Sequence, residues 1–175
     1  KLTNSEIDLP VAYEIAKIRT EIKDLTKSDI IVDAFLSNLT PDLQKTKNNT
    51  KEIRRTMQET LIQVAQNSPD KDFRIRLLFW CLYDECEQEQ IVRIILIIIE
   101  ESKVAIINTL IAIDRDQESK IKYQKIVHCI QSVIGQGISQ EQADIIFEAM
   151  DRAIYIAKPI TESSLHDFDN QVSSN

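Results

Sequence analysis

The chain has 175 residues, 43% hydrophobic and 28% charged, ordinary proportions for one globular domain large enough to bury a sizeable core. A formal net charge of -7 gives a long-range field of the wrong sign for general attraction to nucleic acid or an anionic membrane. Only two glycines occur, Gly135 and Gly137, where average usage would give roughly a dozen. That excludes hairpin-rich folds, phosphate-cradling glycine loops and nucleophile elbows, and it leaves helices joined by caps and prolines.

Residues 1–9 read as a polar N-terminal extension. Asp8 and Pro10 then open a helix, with proline tolerated in the first turn. Val11, Ile15, Ile18, Ile22 and Leu25 follow with 4-3-4-3 spacing, a narrow seam suited to one partner helix, whether in this chain or in a second copy. Ser28 caps a second helix with an apolar face of Ile31, Val32, Phe35, Leu36 and Leu39. Thr40-Pro41-Asp42 starts another element. Residues 44–52 hold no apolar position and read as a solvated helix or a loop.

From Ile53 the helical period returns through Met57, Leu61 and Val64. Lys47, Lys51, Arg54 and Arg55 fall on one side of this element, with Lys45 nearby. Such a stripe is able to grip phosphates, although no aromatic lies beside it to stack on bases. The plainer reading is a solvated helix face.

Ser68-Pro69-Asp70 repeats the cap-proline pattern. The helix after it is apolar almost all round, from Phe73 to Leu82, as a helix in the middle of a bundle would be. Residues 84–90 are a polar break. The run Ile94-Ile95-Leu96-Ile97-Ile98-Ile99 permits a strand by its β-branching, but no second strand candidate exists, so a buried helix is expected. Val104–Ile113 continues as a separate helix or the same one kinked. The apolar stretch Ile91–Ile99 contains Arg93 and falls far short of the ~18–20 residues that cross a bilayer.

Residues 114–120 are charged. Asp114, Asp116 and Glu118 imitate a calcium loop, but Ser119 replaces the loop glycine and Lys125 the bidentate carboxylate, so the segment reads as a solvated turn. Tyr123, Ile126, Val127, Ile130, Val133 and Ile134 trace the next helix, closed by Gly135-Gln136-Gly137. Ser139 and Gln142 form a capping box for the last helix, whose inner face is Ala143, Ile146, Ala149, Met150 and Ala153. Residues 159–175 form a polar, acidic, serine-rich tail with two apolar anchors, Leu165 and Phe168.

Cys81, Cys86 and Cys129 are an odd set without metal-ligand spacing and read as reduced thiols of an intracellular protein. No signal-peptide pattern occurs. The sequon Asn38-Leu39-Thr40 precedes Pro41, which makes it a poor glycan acceptor.

The expectation is an all-α protein: a compact bundle of six to eight helices over 10–158, with a buried hydrophobic pair at about 70–86 and 90–113. No catalytic, cofactor or metal constellation is visible. The leading functional reading is a non-catalytic interaction or scaffold domain that self-associates through Val11–Leu25. The alternative is an RNA-associated regulatory or nucleocapsid-type module, of the kind an AT-rich viral genome encodes, using Lys45, Lys47, Lys51, Arg54 and Arg55.

Overall fold

Caps and prolines divide the chain into helices where the sequence places them. A computed structural model describes residues 8–45, 49–84, 86–114 and 119–157. Within these the secondary structure is helical throughout. The only extended pairing is a single bridge between Ile134 and Ile138. The elements are α1 (Leu9–Thr26), α2 (Asp29–Ser37), α3 (Pro41–Lys45), α4 (Thr50–Asn67), α5 (Lys71–Tyr83), α6 (Gln88–Ile98), α7 (Lys103–Asp114), α8 (Ser119–Val133) and α9 (Gln140–Ala157).

Nine helices among the described residues exceed the expected six to eight. One cause is the 90–113 segment, which is two helices and not one. The α6 helix ends in a turn through Glu100 and Glu101, and Ser102 caps α7 by accepting the Ala105 N–H at 3.2 Å. The calcium-like residues 115–118, Lys47 and the 159–175 tail lie outside the described residues.

The caps explain the corners. Ser28 accepts the Ile31 N–H at 3.3 Å and starts α2. The Ser68-Pro69-Asp70 junction works differently from the cap-proline pattern. Asp70 itself caps α5, accepting from Asp72 and Phe73, while Ser68 closes α4. Ser139 and Gln142 form the expected reciprocal box at the start of α9, at 3.1 and 2.9 Å. Lys27 ends α1 in the left-handed region at φ 56°, its N–H bonded to Lys23 O, so left-handed turns are not confined to the two glycines.

The core is aliphatic. Ile91, Ile94, Ile95 and Ile98 recur at helical spacing and are buried, which settles the isoleucine run as one face of a helix. Ile75, Leu77, Leu78, Phe79, Cys81 and Leu82 bury nearly the whole girth of α5, which packs against α4, α6, α7 and α8. In turn α9 lies along α7, with Ala143, Ile146, Ala149, Met150 and Ala153 facing in.

The α8–α9 corner needs its glycines for different reasons. Gly135 takes φ 80° with open space around it. Gly137 takes φ 125°, and a Cβ there would meet the Val92 methyls of α6 at 3.1 and 3.2 Å. Gly137→Ala is expected to cost about 1–3 kcal/mol, from backbone strain plus displacement of Val92. Urea unfolding measures this, and Gly135→Ala should cost less because only its backbone is strained.

Candidate functional site

The seam of α1 is taken up inside the chain. Val11, Ile18 and Ile22 are fully buried, and Ile15 and Leu25 pack against the core, where α1 meets α2, α3 and α4. The expected self-association surface at these five residues is therefore not an open face. The a/d pattern was real, and its partner is this chain's own bundle.

The basic stripe is also rearranged. The Lys45 side chain and all of Lys47 lie outside the described residues. Arg54, expected on an open basic face, turns inward and is only 13% exposed along its side chain. Its position follows from the helix: Arg54 stands beside buried Ile53 and one turn before buried Gln58, at the edge of the core-facing side of α4.

Three carboxylates meet Arg54. Its Nε and Nη2 donate to Glu14 Oε1 at 3.1 and 3.0 Å. Its Nη1 donates to Glu21 Oε2 at 3.0 Å and to Asp84 at 3.2 and 3.1 Å. Glu14 and Glu21 stand seven residues apart on α1, so they share a face, and Asp84 caps the C-terminal end of α5. The buried amide of Gln58 also donates to Asp84. Burial alone would lower the guanidinium pKa, but hydrogen bonding to Glu21 and the charge of Asp84 hold it above its ordinary value. Arg54 is thus a permanent cation that fastens α1 and the end of α5 to α4.

Lys51 and Arg55 remain at the surface and face acids at long range. Lys51 lies 3.6 Å from Glu87, and Arg55 lies 4.0 Å from Glu87 and 3.8 Å from Glu89. The next polar pair along α4 is Glu59, which binds Arg93 at 2.8 Å and Gln90 at 3.0 Å. Burial pushes the Glu59 carboxyl up, and hydrogen bonds from Arg93 and Gln90 more than reverse this, leaving it below its usual range.

Above the Arg54 cluster lies a groove of about 800 Å³, walled by α1, α4, the α5–α6 link and α8. The stripe seen in the sequence supplies only part of its positive charge. Lys17 of α1 and Lys125 of α8 also line it, and no local pattern joins them to Lys51, because they meet only through the fold.

The three thiols gather near the end of α5. Cys86 Sγ donates to Cys81 O at 2.8 Å and Cys129 Sγ to Leu82 O at 3.0 Å. Burial raises the pKa of all three. The folded state therefore holds thiol protons that the unfolded state releases above about pH 8.5, so stability present below that pH falls as pH rises beyond it. A decline in Tm above that point, flattened by replacing Cys81 and Cys86 with alanine, is the expected result. Among the described residues, no group of three or more His, Cys, Asp or Glu side chains is placed to hold a metal ion, and no helix is long and apolar enough to cross a membrane.

No protein-family model matches this chain, and no curated protein or solved structure is significantly similar to it.

Proposed function

We propose that the chain is a non-catalytic helical interaction domain of a reducing compartment, that it self-associates, and that α5 and the 90–113 segment, α6 with α7, form the buried centre of its bundle. One observation supports the association: the last described turn of α9 carries Ile154, Tyr155 and Ile156 at 45%, 75% and 54% exposure. Three successive apolar side chains in water are costly, whereas single exposed ones such as Ile30 and Val104 are ordinary. The turn is held in place by the one before it, where Ala149, Met150 and Ala153 are buried. A helix end with an apolar surface is suited to docking on another helical face.

Light scattering at tens of micromolar tests the reading. Wild-type protein is expected to exceed monomer mass, and Ile154→Asp with Ile156→Asp is expected to return it to monomer with helicity unchanged by circular dichroism. A strictly monomeric wild type would reject self-association. The RNA-associated reading loses support from the inward turn of Arg54, which removes one cation of its stripe.

A further inference from the structure

We propose that the groove over Arg54 binds a small polyphosphorylated molecule, held by Lys17, Lys51, Arg55 and Lys125. The argument is one of charge allocation. The chain as a whole is acidic, yet among the described residues five basic and four acidic side chains line this groove. Three of the four acids, Glu14, Glu21 and Asp84, are occupied by hydrogen bonds from Arg54. The fourth, Glu87, is shared by two cations at 3.6 and 4.0 Å.

Lys17 shows the effect most clearly. It stands three residues after Glu14 and four before Glu21, spacings that would ordinarily pair it with both. Arg54 draws both carboxylates away, and Lys17 forms no ion pair among the described residues. Lys125 likewise has no acid partner there. Arg55 is 39% exposed along its side chain, and its buried Nε makes no hydrogen bond, so Glu87 at 4.0 Å does not saturate the guanidinium. Four cations from three helices therefore face one concavity, while three of the four acids that line it are held by Arg54.

The volume, about 800 Å³, lies within the range of small-molecule sites. The exposed pairs of Lys51 and Arg55 with Glu87 and Glu89 are each worth about 0–1 kcal/mol, so a multivalent anion can exchange for them. Phosphate is the chemistry favoured: a lysine cluster supplies point charges, and Arg55 adds a directional donor. The groove's concave shape favours a compact polyanion over a strand.

Titration calorimetry with inorganic tripolyphosphate tests this. One-to-one binding is expected, weakened about tenfold or more by Lys17→Glu with Lys125→Glu, a loss near 1.4 kcal/mol. Lys71→Glu, away from the groove, should leave it unchanged. On the wild-type protein, NMR shifts caused by tripolyphosphate should fall on residues 14–21, 50–55, 84–88 and 125, a readout independent of how the variants fold. Absence of binding, equal binding by the double variant, shifts elsewhere, or affinity for oligouridylate that survives the double substitution would each overturn the proposal.

Discussion

Arg54→Ala is expected to lower the unfolding free energy by about 3–5 kcal/mol at neutral pH, the range for removing one member of a buried charge network. The substitution removes the cation that Glu14, Glu21 and Asp84 share, while Gln58 still donates to Asp84. Repulsion and lost hydrogen bonds then act together. The loss should shrink as pH falls and the three carboxylates take up protons. Arg54→Lys should recover only part of it, because an ammonium cannot reproduce a planar donor set that reaches three acids. Adding Glu14→Gln and Glu21→Gln to Arg54→Ala should restore more than the lysine does. Urea unfolding at two pH values reads all of this, and a neutral-pH loss under 1 kcal/mol would show that the cluster is ornamental to stability.

Phe79→Ala is expected to cost about 3–5 kcal/mol through lost burial and the cavity left behind. Phe79 is fully enclosed in α5, the helix that touches α4, α6, α7 and α8, so no flexible surface can collapse into the gap. Phe73, only partly buried in the first turn of the same helix, serves as the comparison and should lose markedly less on the same change. Denaturant midpoints give both values, and similar losses at the two positions would mean that the surroundings of Phe79 relax.

Helices were legible wherever apolar periodicity and a capping residue agreed. Ser28 before Ile31-Val32 and Ser139 with Gln142 are the clear cases, since both act within four residues of chain. The isoleucine run was legible as a helix because its flanks offered no turn chemistry. The break between α6 and α7 reads from sequence as either a kink or a new helix, because its one local signal is a lone cap, Ser102, after two glutamates.

The site was legible only in part. Periodicity shows that Val11–Leu25 is a buried seam, but the same spacing suits an internal helix and a foreign one, and only the bundle decides. For Arg54, charge spacing along α4 pointed to a stripe, whereas its partners come from α1 and from the end of α5. A hint existed in Glu14 and Glu21, two acids seven apart that border the apolar seam, where an unpaired carboxylate would be expensive. The cations Lys17, Lys51 and Lys125 share no local pattern, so their meeting was invisible until the helices were placed.

The Arg54 cluster also sets a timetable for synthesis. Arg54 follows Glu14 by 40 residues, and Asp84 follows Arg54 by another 30. At about 5–20 residues per second, roughly 3.5–14 s separate the first of these groups from the last as the chain leaves the ribosome. Through that interval the amino-terminal helices lack the clamp that joins them to the end of α5. A nascent chain stalled before Asp84 should therefore be open to protease near α1, and one released past it should be closed.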